Sequence, residues 1–130
     1  MTNSLLIGKT IYNILSANTE LTAMVGNKIY PLIAEQSTTY PFVIYYRDNV
    51  SVNRVSKDGY GEDEVNFTVV CVSDNYSQSV DIANTVRKVL EKQRINGQDI
   101  TITNSHIVSV DESWADNAFV QRLTFICTVN

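Results

Sequence analysis

The stretch VNFTVVCVSDNYSQSVDIANTVRKVL, Val65 to Leu90, changes its hydrophobic period half-way along, and that change decides the fold class. Val65, Phe67, Val69 and Cys71 alternate with Asn66, Thr68, Val70 and Val72, the two-residue repeat of a half-buried to fully buried strand. Beyond it Val80, Ala83, Val86, Val89 and Leu90 form one apolar helical stripe, while Asp81, Asn84, Arg87, Lys88, Glu91 and Lys92 stay in water. Asp74 or Ser77 is expected to cap this helix, and Gly97 follows its end.

On the C-terminal side, Ile100 with Ile102, then Ile107, Val108 and Val110, then Phe119, Leu123, Phe125, Cys127 and Val129 mark three more strands. Ala115-Asp116-Asn117 is the turn between the last two. On the N-terminal side, Leu6, Ile7, Ile11, Ile14 and Leu15 make residues 1–17 an amphipathic helix, with Asn3 or Ser4 as its cap. A short helix through Leu21, Met24 and Val25 follows, capped by Asn18 or Thr19 and stopped by Gly26. Lys28 to Ile33 reads as an edge strand or an extended lead-in, because Pro31 lacks an N–H and restricts Tyr30.

Phe42 to Tyr46 is the densest run of β-formers, apolar on both faces, which predicts a strand covered on both sides. Val50, Val52 and Arg54 continue it. Ser56 to Asp63, SKDGYGED, reads as a surface loop or hairpin tip. The order of elements shows no βαβαβ alternation and no repeat. The expected fold is therefore α+β: a mainly antiparallel sheet with two main helices on one face, plus a short helix after the first, in a single domain spanning 1–130. Ile11, Ile14, Phe42, Ile44, Phe67, Val69, Val86, Leu90, Leu123 and Phe125 are expected in one core.

The 130 residues are 44% hydrophobic and 18% charged, with 5 Gly and 2 Pro, which excludes disordered, collagenous and coiled-coil chains. Ten basic against 14 acidic residues give a net charge of -4, the wrong sign for affinity to phosphate backbones. Arg87, Lys88, Lys92 and Arg94 are the one basic cluster, expected as the wet face and last turn of the long helix. The N-terminus has no cationic start to an apolar run, and no run approaches the length of a membrane span, so neither a signal peptide nor a membrane segment is expected. Cys71 and Cys127 sit in apolar alternating runs, as reduced buried thiols do; a disulfide between neighbouring strands is the alternative.

Catalytic and metal-binding constellations are not expected. The single histidine, His106, lacks partners in sequence, and one His with two distant Cys cannot assemble a zinc site. Gly59 and Gly61 follow a polar loop and precede a strand, whereas a phosphate cradle needs a helix N-terminus there. Glu62, Asp63 and Glu64 read as solvated acids sooner than as cation ligands. Seven tyrosines, Tyr45 and Tyr46 among them, suggest core or protein-interface positions in preference to base stacking. Two places are candidates for protein contact. The loop residues Lys57, Asp58, Tyr60, Glu62 and Asp63 are expected to order on docking, and Trp114 near a hairpin end is a candidate interface anchor.

Residues 21–31, LTAMVGNKIYP, followed ten residues later by PFVIY at 41–45, resemble the tail-completion proteins of long non-contractile-tailed bacteriophages and prophages, the family of tail-terminator and tail-to-head joining proteins. That family carries a Leu-Thr … Val-Gly-Asp-Arg-Ile-Tyr-Pro segment and then Pro-Tyr-Val-Val-Tyr. This chain has Asn27-Lys28 for Asp-Arg and Phe42 for Tyr, and the specific part spans residues 5–47. The resemblance implies a structural virion component without cofactor. Such a protein forms a ring, usually a hexamer and in some cases only on the tail, at the head-proximal end of the tail tube. It ends tube growth there and joins the tail to the head.

The implied partners are other copies of the chain, the major tail tube protein and a head-completion protein. Genome DNA passes through the ring unbound, and no membrane is involved. The implied location is the virion tail, reached from the host cytoplasm during assembly. Size agrees with this: a radius of gyration of roughly 14 Å makes a sphere about 36 Å across, and six in contact leave a hole as wide as one. A carboxylate-lined lumen would repel phosphates and let DNA slide. The competing reading is a small non-enzymatic cytoplasmic adaptor or regulatory module unrelated to virions.

Overall fold

In the computed structural model, which describes residues 3–52 and 62–129, a six-stranded sheet in the order β1-β2-β3-β6-β5-β4 carries three helices. The strands are β1 (Ile29–Pro31), β2 (Phe42–Ser51), β3 (Asp63–Ser73), β4 (Lys92–Gly97), β5 (Ile100–Ala115) and β6 (Ala118–Val129). The helices are α1 (Ile7–Ala17), α2 (Thr19–Val25) and α3 (Tyr76–Leu90), and a 3-10 turn at Ser4–Leu6 leads into α1. All pairings are antiparallel except β1 with β2. The α+β expectation therefore holds, and β1 is the edge strand foreseen around Pro31.

Alternation decides which side of each strand meets the helices. Val65, Phe67, Val69 and Cys71 of β3 point into the helix-covered core, and so do Leu123, Phe125, Cys127 and Val129 of β6. Phe67 and Phe125 lie opposite each other, with rings stacked 4.9 Å apart. Ile7, Ile11 and Leu15 of α1, Leu21 and Val25 of α2, and Ile82, Val86 and Leu90 of α3 close this core from above. Phe42 and Ile44 do not belong to it. Val43 and Tyr45 take the inward positions of β2, so Phe42 and Ile44 point to the other face, where they pack with Tyr46, Val70, Val72, Ala118 and Val120 in a second, smaller cluster. Among the described residues no helix covers that cluster, so the described helices cover β2 on one side and not two.

Caps follow local chemistry. Asn18 Oδ1 accepts from Leu21 N–H at 2.8 Å to start α2, and Gly26, at φ 64, ends it. α3 is capped by Asn75, whose Oδ1 accepts from Gln78 N–H at 3.0 Å, and not by Asp74 or Ser77. Neither Asn3 nor Ser4 caps α1: Ser4 Oγ donates to Asp63 instead, at 2.6 Å, and Asn3 Nδ2 donates to the Asp99 carbonyl.

The buried stripe of α3 includes Ile82, and Val80 is left half-exposed. α3 ends at Leu90, so Lys92 and Arg94 lie on β4 and not in a helical turn. The two segments expected at 100–102 and 107–110 are one strand, β5, interrupted by register shifts at Thr103/His106 and Ile107/Ser109. Asp116 and Asn117, at φ 51 and 61, form the tight turn into β6. Cys71 and Cys127 are free and buried: Cys71 pairs with Gln121, six residues along β6 from Cys127, or roughly 20 Å at strand rise. A disulfide between them is excluded.

Candidate protein-interaction surfaces

Of the loop residues singled out for contact, Lys57, Asp58 and Tyr60 lie outside the described residues. Glu62 is exposed. Asp63 is the first residue of β3, 4% exposed, and its carboxylate accepts from Ser4 Oγ. It stands two residues before Val65, in the phase that points to the helices, so it belongs to the fold and not to a loop surface. That phase was readable in the sequence, masked there by the flanking Glu62 and Glu64.

Trp114 is 58% exposed at the end of the β5–β6 hairpin, its ring edge-on to Phe119 at 4.8 Å. Phe119 also meets Tyr76, at the start of α3, edge-on at 5.4 Å. Polar contacts fix this end. Tyr76 OH and Gln121 Nε2 both donate to Glu112 Oε2 at 3.0 Å, and Gln121 Nε2 also reaches Ser79 Oγ at 3.3 Å. Hydrogen bonding to the Glu112 carboxylate, and its charge, raise the Tyr76 phenol above its ordinary pKa. On the other face, Tyr40 OH donates to the Asp116 carbonyl at 2.7 Å and holds the hairpin turn. The tip is thus tied to α3 on one side and to the lead-in of β2 on the other, leaving the Trp114 ring outward on a braced base.

The opposite edge of the sheet carries a second exposed apolar surface that sequence reading missed. Leu5, Leu32 and Ile33 are 70%, 73% and 77% exposed. Leu5, Tyr12, Pro31 and Tyr45 line a groove of about 470 Å³ beside Gly8 and Lys9. Burial pushes the Tyr45 phenol up, with Tyr12 adding to it. The signal available was a pair of large aliphatics, Leu32-Ile33, directly after a proline-terminated edge strand.

His106 sits in the irregular part of β5, its Nδ1 2.8 Å from the Asn104 carbonyl. Among the described residues no group of three or more His, Cys, Asp or Glu is placed to hold a metal ion, and no helix is long and apolar enough to cross a membrane. Burial raises both thiols, Cys127 to about 12, so neither offers a thiolate near neutral pH.

Residues 9–123 match the family model of tail completion protein gp17. The chain belongs to this family. Its role is structural, in the tail of a phage-type particle. No curated protein sequence matches the chain significantly. Among solved structures, a chain from the virion of a native gene transfer agent particle superposes with a TM-score of 0.74 at 15% identity, covering 92% of this chain and 90% of that one. A second solved chain superposes with a TM-score of 0.69 at 12% identity, over 98% of this chain and 96% of that one. At such identities the likeness speaks for the shared fold, and the family membership carries the role.

Proposed function

We propose that this tail completion protein assembles as a ring, most simply a hexamer, on the head-proximal end of the tail tube, where it stops tube growth and presents the surface that joins the head. Its family match over residues 9–123 is the observation that carries this reading. The partners are further copies of the chain, the major tail tube protein and a head-completion protein, met in the host cytoplasm during assembly. The genome slides through the acidic ring without specific binding, and the protein has no catalytic, cofactor or metal-dependent activity.

The direct test is electron microscopy of particles made without this chain. Overlong tubes and unattached heads, restored to normal when the chain is supplied, support the reading. Tails of normal length on filled heads overturn it.

Lys57, Asp58, Tyr60 and Glu62 are proposed to meet the tube or an adjacent subunit, with Tyr60 as the apolar anchor. Tyr60→Ala and Glu62→Lys test this contact. Asp63→Lys does not, because it would also bury a charge beside Ser4. Normal tails from well-folded Tyr60→Ala and Glu62→Lys variants remove this contact from the proposal.

A further inference from the structure

Pro31 pairs with Tyr45, Tyr45 with Val69, Val69 with Leu123, and Leu123 with Val110, so these five residues form one row across five strands. The ends of that row are the two exposed apolar surfaces, about 19 Å apart at four strand spacings. At one end stand Leu5, Tyr12, Leu32 and Ile33 around the groove; at the other, Tyr76, Val80, Val108, Val110 and Trp114 on α3 and the free edge of β5. Of the exposed large hydrophobic residues described, Val52 alone stands outside these two groups.

Their charges are opposite. Asp81, Asp111, Glu112 and Asp116 surround the Trp114 end, with Arg122 paired to Asp111 at 3.5 Å. At the groove end the cations are Lys9, which lines the wall, and Arg47, whose Nη1 donates to the carbonyl of the lining residue Leu5 at 3.3 Å. An isologous contact would set the acidic end against its own copy, which like charges oppose; two unlike, complementary patches call for a heterologous contact, the kind that closes into rings.

We propose that neighbouring copies meet head to tail, the β5–α3 edge of one copy seating Val110 and Trp114 against the Leu5–Tyr12–Pro31 groove and Leu32-Ile33 of the next, a contact that rests on the ring reading above. The apolar side chains form its centre and the charged ones its rim. The groove lies within the size range of sites that enclose large apolar groups. Screening of the rim makes assembly weaker at high salt.

The test uses differently tagged copies carrying either Ala115→Cys or Asn13→Cys, exposed positions beside the apolar centre of the contact and outside it, with circular dichroism confirming the fold. The copies are mixed, assembled on tail tubes and treated with a short bismaleimide, while microscopy records whether a ring caps the tubes. A cross-link joining the two tags, with none between copies of the same variant, supports the head-to-tail contact. Rings that give same-variant cross-links, or none, overturn this contact and leave the ring standing. Capped tubes without a ring overturn the ring reading and this contact with it.

Discussion

Both faces of β3 and β6 are rich in apolar residues, yet they do different work. The face under the helices buries Phe67, Val69, Leu123 and Phe125 to near zero exposure, with three helices supplying the opposing layer. The bare face, which no helix covers among the described residues, has Val70, Val72 and Val120 sheltered by neighbouring strand side chains and by Tyr40 ahead of β2, with Phe42, Ile44 and Tyr46 half-exposed at its margin. Hydrophobicity along a strand therefore does not reveal which face is the core; the presence of a second layer does.

The largest predicted difference between the faces follows from this. Phe125→Ala opens a cavity beneath the stacked Phe67 ring and is expected to cost about 3–5 kcal/mol. Ile44→Ala on the bare face, where solvent already reaches the side chain, is expected to cost roughly 1–2 kcal/mol. Denaturant melts of the two variants measure both. Equal losses would show that something covers the bare face in the free protein.

This explains what the sequence could and could not tell. The change of period between Val65 and Leu90 made the strand-to-helix order readable, and Asn18, Gly26 and the Asp116-Asn117 turn were readable because each does a job that few residue types do. Phe42 to Tyr46 gave no such guide: five apolar residues in a row leave the phase open, and the burial of Val43 and Tyr45 is set by α1 and the rest of the core, far away in sequence. β4 was hidden because KQRING, residues 92–97, puts one large apolar residue, Ile95, in an edge strand. β5 looked like two strands because its register shifts break alternation where a sequence pattern would end an element. The Trp114 end was half legible from one exposed-looking aromatic beside a turn. The groove end was not, because it is built from three separate segments.

A smaller effect probes how closely the helix-covered side is packed. A Cβ on Gly97 would stand 2.8 Å from both Ile100 Cγ2 and Thr10 Cγ2, joining the β4–β5 turn to α1 with no room to spare. Gly97→Ala is expected to cost about 1–3 kcal/mol from overpacking. Thr10→Ala added to it should return part of the loss, since it removes two of the three close contacts. A double variant no better than the single one would mean that Ile100 alone sets the limit.

Smaller again is the cap of the helix that builds the covered face. Asn75→Ala removes the acceptor for Gln78 N–H and is expected to lower stability by about 1 kcal/mol. Asp74→Ala and Ser77→Ala should stay within roughly 0.5 kcal/mol of the parent, as uncoupled surface changes do. Thermal melts of the three variants rank them, and a larger loss at Asp74 would return the cap to that residue.

The smallest effect is a pH dependence at the other end of α3. Glu91 Oε2 accepts from Ile107 N–H at 2.9 Å, and Glu91 Oε1 accepts from Arg87 Nε at 2.9 Å, so the helix end is pinned to β5. The backbone bond first, and the arginine after it, hold the Glu91 carboxyl below its ordinary pKa. A carboxyl whose pKa is lower folded than unfolded binds more protons in the unfolded chain, so its contribution to stability is present above the ordinary glutamate range and disappears as pH falls through the lowered value. Solvent screens the ion pair, which keeps the effect to a fraction of a kcal/mol. Glu91→Gln retains an acceptor for Ile107 N–H but cannot ionise. Its melting temperature should lie below the parent's at pH 7, and the gap should narrow towards pH 3. A gap independent of pH would show that the contact acts through shape alone, and that the covered face is held to its helices by packing without help from charge.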